Sequence, residues 1–217
     1  MLSVQHLTTG YGKKQVLSDV SFEVSKGCLV LLTGGNGSGK STLLKAIYGL
    51  LSPWKNDSGV ACKIIFDGID ITSTPTSDLL KLGIVYMPQK KNVFDDFTVE
   101  ENLLTAASIY TKDSARKRIK DVFTMLPRLA ELRNRTPFLM SGGERQLLAF
   151  GCTLLHSPKL MLLDEPFAGV DKYTCNVMQY IIMDLMKNSK TVLMVEHNEL
   201  LIKDYTKMKL YLGQILE

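Results

Sequence analysis

An apolar run, Leu29-Val30-Leu31-Leu32, leads into Gly34-Gly35-Asn36-Gly37-Ser38-Gly39-Lys40-Ser41, and Thr42-Leu43-Leu44-Lys45-Ala46-Ile47 leaves it with helical composition. A strand, a glycine-rich turn and a helix in that order, with this spacing, fit the phosphate-loop pattern G-x-x-x-x-G-K-S/T. Glycines let successive backbone N–H groups converge on an anion, and the helix that follows presents the positive end of its dipole to it. Lys40 is placed to reach the β- and γ-phosphates of a nucleotide, and the Ser41 hydroxyl to meet Mg²⁺. A chance glycine-rich turn would carry neither the strand before it nor the helix behind it. The chain is therefore expected to be α/β, built on a parallel sheet around a nucleotide site.

The 217 residues suffice for one large domain, with room for a subdomain. A hydrophobic content of 45% and a charged content of 22% are those of a water-exposed globular chain. The net charge of +4 is too mild to argue for nucleic acid, and none is expected as a partner. Cys28, Cys62, Cys152 and Cys175 show no C-x-x-C spacing and sit among mostly apolar neighbours, so they read as buried free thiols. No signal peptide precedes the first strand and no apolar run reaches the length of a membrane span, which predicts a cytoplasmic protein.

Before the phosphate loop, Leu2-Ser3-Val4 and Val20-Ser21-Phe22-Glu23-Val24 alternate as half-buried antiparallel strands do, and Lys26-Gly27 makes the turn into the buried strand. Tyr11, flanked by Gly10 and Gly12, is expected between those strands, exposed, where its ring can stack on a flat ligand. Beyond the loop helix, Ser52 to Gly59 reads as a polar connection, Ile64 to Ile71 as strand with a turn at Asp67-Gly68, and Gly83 to Met87 as an apolar strand ending at Pro88-Gln89. Thr98 and Glu101 form a capping box, and Ile119, Val122, Phe123 and Leu126 recur at helical spacing. Arg116, Lys117, Arg118 and Lys120 read as a solvated basic face, with contact to a partner as the alternative. Residues from about 90 to 156 form a helical insert on this reading.

Ser141 and Glu144 make a second capping box, and Gly142-Gly143 would let a ligand approach that helix closely. Leu160 to Leu163 is a buried strand ending in Asp164-Glu165; an Asp there lies beside the phosphate loop in an open α/β sheet and can hold Mg²⁺. Glu165 then faces the γ-phosphate and can polarise water. Thr191 to Val195 is a further buried strand, ending at Glu196-His197-Asn198, with His197 in reach of a phosphate or a water; His6 and His156 read as structural. A final strand falls at Lys209-Leu210-Tyr211-Leu212.

Taken in order across essentially the whole chain, these pieces resemble the ATP-binding cassette (ABC) ATPases. The phosphate loop alone would admit kinases, GTPases and helicases. Ser-Gly-Gly-Glu just upstream of Leu-Leu-Asp-Glu-Pro, followed by a histidine after the next strand, is far more specific. The resemblance implies a P-loop core with a mostly parallel sheet, an N-terminal antiparallel β subdomain and a helical insert, all within one domain spanning 1–217. It implies that Tyr11 stacks on adenine and that Gly34, Gly35, Asn36, Gly37, Ser38, Gly39, Lys40, Ser41 and Thr42 hold the phosphates. Ser41, Gln89 and Asp164 would serve Mg²⁺, with Glu165 as catalytic base and Gln89 and His197 as its companions at the γ-phosphate. Ser141, Gly142, Gly143 and Glu144 match the signature sequence, and Asp171 in Ala168-Gly169-Val170-Asp171 the dimer-contacting loop. Its cofactors are ATP and Mg²⁺, its partners a second ATPase subunit and transmembrane permease subunits, and its place the cytoplasmic face of a membrane.

Departures are Met140 where leucine is usual, Glu144 where glutamine is common, Phe150 to Leu154 without the frequent Arg-Ala, and Lys172 in place of a frequent proline. Leu126-Pro127-Arg128-Leu129 and Phe167 to Asp171 look like branched-chain amino-acid importer ATPases, while Ser-Gly-Gly-Glu-Arg also looks like the lipopolysaccharide-export ATPase. The alternative is an ABC-type ATPase of DNA maintenance or translation, whose usual marks are a long coiled-coil insert or two cassettes in one chain; the sequence has neither.

Overall fold

The computed structural model describes residues 1–55, 59–90 and 92–197, and residues 206–211 as strand backbone. Asn56 to Ser58 of the expected polar connection, Asn198 after His197 and Leu212 of the last expected strand lie outside the described residues.

The N-terminal strands are longer than their alternation predicts. β1 (Leu2–Tyr11) pairs antiparallel with β2 (Lys14–Val24), and on its other edge with β4 (Lys63–Phe66), which turns through Asp67-Gly68 into β5 (Ile69–Asp70). Tyr11 is thus the last residue of β1 and not a residue of the connection. Register shifts after Val4, Leu7 and Thr9 break the period-two pattern that sequence reading relies on.

The second sheet is wholly parallel, in the order β6 (Ile84–Met87), β7 (Leu160–Asp164), β8 (Thr191–Val195), β3 (Leu29–Thr33), β9 (Thr206–Tyr211). β3, β7 and β8 are buried along their whole length, because both faces of the sheet are covered there. Leu29, Leu31, Met161, Leu163, Val192 and Met194 face one core, shared with helices of the insert; Val30, Leu32, Leu160, Leu162, Leu193 and Val195 face the other, shared with the antiparallel sheet and with α1 (Lys40–Ile47). A second helix, α2 (Thr76–Leu82), leads into β6.

Between β6 and β7 come α3 (Val99–Ala106), α4 (Lys112–Met125), α5 (Pro127–Glu131) and α6 (Gly142–Leu154), with short 3₁₀ turns at Ala107–Ile109 and Pro137–Leu139. Both capping boxes form: Thr98 and Glu101 open α3, and Ser141 and Glu144 open α6. α4 and α5 pack on α6 so closely that a Cβ at Gly151 would stand 2.8 Å from Leu129 Cδ1 of α5 and 3.2 Å from Val122 Cγ1 of α4. A last helix, α7 (Lys172–Lys187), follows β7 and leads to β8.

Two sequence expectations change here. Arg118 is not part of a solvated face: its guanidinium donates to the Leu155 carbonyl at 2.9 Å and lies 4.1 Å from the centre of the Tyr110 ring, tying α4 to the end of α6. Of the four thiols, all free, only Cys62 and Cys175 are buried; Cys28 and Cys152 are half-buried.

His156 packs against the same knot, its Nδ1 3.1 Å from the Tyr110 hydroxyl. Burial, and then the Arg118 cation, push its pKa from 6.5 down to about 4. The folded chain therefore favours the neutral ring, so this contribution to stability is complete above 6.5 and is lost as pH falls toward 4. A His156→Phe variant is expected to lose less Tm than the parent chain between pH 7 and pH 5, measured by thermal melts at both.

Candidate nucleotide and catalytic site

The phosphate loop joins the carboxyl end of β3 to α1. Gly39 is the N-cap of α1 at φ 98°, a left-handed conformation that glycine adopts without a Cβ penalty. No side chain caps this helix and no acidic residue sits in its first turn, so its N–H groups and dipole are left to an anion. Lys40 is buried, and its ammonium donates to the carbonyls of Gly34 at 2.7 Å and Gly35 at 2.9 Å. A buried cation needs such partners.

Asp164 ends β7 beside that loop. The Ser41 hydroxyl donates to its Oδ1 at 2.9 Å and the Tyr86 hydroxyl to its Oδ2 at 3.3 Å. Burial raises its pKa; the two hydroxyl bonds oppose that and the neighbouring Glu165 charge adds to it. A hydroxyl and a desolvated carboxylate side by side suit a hard, oxygen-seeking cation. Among the described residues no group of three or more His, Cys, Asp or Glu stands ready to form an all-protein cage.

One residue on, the chain turns sharply. Glu165 has φ 51°, a left-handed conformation that costs a non-glycine residue roughly 1–3 kcal/mol. Its N–H donates to the Val195 carbonyl at 2.9 Å, and its side chain leaves the sheet to meet two others. Oε1 lies 3.0 Å from His197 Nε2, and Oε2 accepts a short hydrogen bond from Gln89 Nε2. Gln89, Glu165 and His197 follow β6, β7 and β8, three neighbouring strands, so one end of the parallel sheet assembles them.

A cleft of about 350 Å³ opens over this end, lined by Asn36 to Thr42, Glu165 and His197, with Tyr11 at its rim. Tyr11 is 46% exposed, its hydroxyl 3.5 Å from Thr42 Oγ1, and the Lys45 ammonium stands 5.8 Å from its ring centre. The Ser38 hydroxyl oxygen is buried on the cleft without a hydrogen-bond partner.

Residues 17–168, more than half of the chain, match the profile of the ABC transporter family. The chain belongs to that family. As an ABC cassette it is an ATP-hydrolysing, nucleotide-binding protein. It is 39% identical over 198 residues to the high-affinity branched-chain amino acid transport ATP-binding protein BraG of Pseudomonas aeruginosa, covering 91% of this chain and 82% of that one. It is 34% identical over 200 residues to the lipopolysaccharide export system ATP-binding protein LptB of Haemophilus influenzae, covering 91% and 80%. Among solved structures, a dimeric post-hydrolysis state of an ATP-binding cassette bound to ADP and Pi superposes with a TM-score of 0.84 at 25% identity, over 98% of this chain and 94% of that one.

The remaining sequence-predicted residues of the cassette lie apart from this cleft. Ser141 caps α6, Gly142 and Gly143 form its first turn, and Ser141, Glu144 and Asp171 border a separate cavity of about 460 Å³. Asp171 caps α7, accepting from the Thr174 N–H at 3.0 Å and from its hydroxyl at 2.6 Å, which hold its carboxyl below the usual range. Glu144 accepts from the Ser141 N–H at 2.9 Å and from the Arg128 guanidinium at 2.8 Å. Partial burial opposes ionisation of Glu144 most strongly, but those bonds together keep its pKa lowered.

Sequence reasoning missed Tyr86 on Asp164, Arg128 on Glu144, and Lys14 and Val16 on the cleft wall. Only Tyr86, a phenol in an otherwise apolar strand, carried a signal: a buried hydroxyl needs a partner.

Proposed function

We propose that this cassette hydrolyses Mg²⁺–ATP as one of two ATPase subunits that power a membrane transporter, and that the cargo is a branched-chain amino acid. The observation that carries the catalytic part is the Glu165 carboxylate held between Gln89 and His197 at the edge of a cleft lined by Lys40. In this reading the glycine loop and Lys40 bind the triphosphate, with Tyr11 against adenine. Ser41 and Asp164, with Gln89, would hold Mg²⁺, and the bound ion would neutralise charge that develops on the phosphate oxygens. Glu165 takes a proton from the attacking water, and His197 orients the carboxylate and the γ-phosphate.

Ser141, Gly142, Gly143, Glu144 and Asp171 border no part of this chain's own cleft, which supports a role toward the nucleotide of a second subunit. The capping box already takes the Glu144 N–H, so what the α6 N-terminus offers such a nucleotide is its dipole and the open space over Gly142, where no neighbouring atom among the described residues stands within 4 Å of a would-be Cβ. Residues 1–217 act as one domain here, with residues 90–156 as a helical subdomain. No helix among the described residues is long and apolar enough to cross a membrane, so the route across is assigned to permease subunits. The branched-chain assignment rests on the identity with BraG; the similarity to LptB favours lipopolysaccharide export as the second reading.

Co-purification of the tagged protein from gently solubilised native membranes tests this. A multi-span membrane protein is expected with it, together with a second cassette subunit, and uptake of radiolabelled leucine by vesicles containing the complex should require ATP. Recovery only beside ribosomal or nucleic-acid proteins would reject the transport role. Retention of a permease that moves no amino acid would reject the cargo alone.

A further inference from the structure

Gln146 takes no part in the chemistry set out above, yet it is buried beside it with both ends of its amide hydrogen-bonded. It lies in the second turn of α6, only 6% exposed. Its Nε2 donates to the main-chain carbonyl of Glu165 at 3.1 Å, and its Oε1 accepts from Asn92 Nδ2 at 3.1 Å. Asn92 Nδ2 also donates to the Pro88 carbonyl at 3.2 Å. The relay ends on a carbonyl at both sides, and a carbonyl can only accept. The two amides can therefore be oriented one way only, which fixes donor and acceptor along the whole chain.

The carbonyl at its inner end belongs to the residue at φ 51°. The β7–β8 ladder ends at Asp164 and Val195, so the Glu165 peptide lies just past regular pairing. Its N–H is fixed by Val195 and its C=O by Gln146. With both groups tied, the peptide from which the side chain departs is held at both ends, and the carboxylate reaches Gln89 and His197 from that fixed base.

We infer that Gln146 is a positioning residue: it locks the Glu165 peptide, and so aims the carboxylate, from the helix whose N-terminus is Ser141. This rests on the reading of Glu165 as the base. It adds that, besides the direct bond from Gln89 to the carboxylate, the base is set by α6 through Gln146 and by Asn92 through that same amide. Gln146 lines neither the nucleotide cleft nor the phosphate loop, so its removal leaves ATP binding untouched.

The test is steady-state hydrolysis, fluorescent ATP-analogue binding and thermal melting on Gln146→Met, Asn92→Ala, Glu165→Gln and the double variant Gln146→Met/Glu165→Gln. Misplacing a reacting group by about 1 Å costs up to roughly 100-fold, so Gln146→Met is expected to lose about 10- to 100-fold in kcat. KM and analogue affinity should stay within about 3-fold of the parent, and the double variant should be no slower than Glu165→Gln alone. Asn92→Ala, which leaves the inner bond but frees its donor to rotate, should lose less, roughly 3-fold.

A parental kcat in Gln146→Met overturns the inference. So does an equal fall in analogue affinity, or a further additive loss on the Glu165→Gln background, since either marks a general structural role. If Gln146→Met does not fold, Asn92→Ala decides: a lower kcat at constant KM supports the relay, and a parental kcat overturns it. Should Glu165→Gln itself hydrolyse ATP at the parental rate, it is the base assignment that fails, and the Gln146 result then reads separately.

Discussion

Replacing Glu165 by glutamine is expected to lower the rate of ATP hydrolysis by about 10²- to 10⁴-fold, the usual cost of losing a general base. That is roughly 3–5 kcal/mol on the barrier. The amide fills the same space and can still meet Gln89 and His197, whose nitrogens now approach the carboxylate oxygens. What it lacks is the charge and basicity needed to take a proton. Nothing in the phosphate loop changes, so ATP should bind with parental affinity. With hydrolysis blocked, ATP should hold two subunits together, visible as a doubled mass by light scattering in Mg²⁺–ATP. Phosphate release at the parental rate would reject Glu165 as the base.

The second large effect concerns binding. Lys40→Met removes a buried ammonium while keeping most of its stem volume, so the packing around α1 should survive. Lost with it are charge-assisted hydrogen bonds worth about 1.5–3 kcal/mol. Titration with a fluorescent ATP analogue should therefore show affinity weakened by roughly 10- to 100-fold. Stability has two opposing terms: the carbonyls of Gly34 and Gly35 lose a donor, but the desolvated charge they served is gone as well. A small change in Tm is expected. An unchanged analogue affinity would instead make Lys40 a clamp on the loop carbonyls with no part in holding phosphate.

Features confined to a few consecutive residues were legible in the sequence. The strand–loop–helix around Lys40, the apolar strands before Asp164 and His197, and both capping boxes are local patterns, and each forms where the pattern lies. The course of β1 was not legible, because its register shifts disrupt alternation and leave Tyr11 looking like a turn residue. Which face of each buried strand meets which core was equally hidden, since a strand apolar on both sides has no periodicity to read. The supporting contacts were the most obscure. Arg128 meets Glu144 from 16 residues away, Gln146 meets Glu165 from 19, and Asn92 meets Gln146 from 54. Each of these side chains reads alone as ordinary surface polarity. The left-handed turn at Glu165 leaves no mark in an Asp-Glu-Pro string; it follows from the sheet ending at Asp164 and from what Val195 and Gln146 hold beyond it.

The missing side chain at Gly151 has a mechanical consequence. With Leu129 and Val122 pressed against that point, and interior packing as dense as that of an organic crystal, α6 has no free travel against α4 and α5. A displacement of α4 and α5 is therefore expected to carry α6 with it. From Gly151 to Ser141 is ten residues, a lever arm of about 15 Å at 1.5 Å per residue. A load placed on α4 or α5 would then be felt at Ser141, at the far tip of α6.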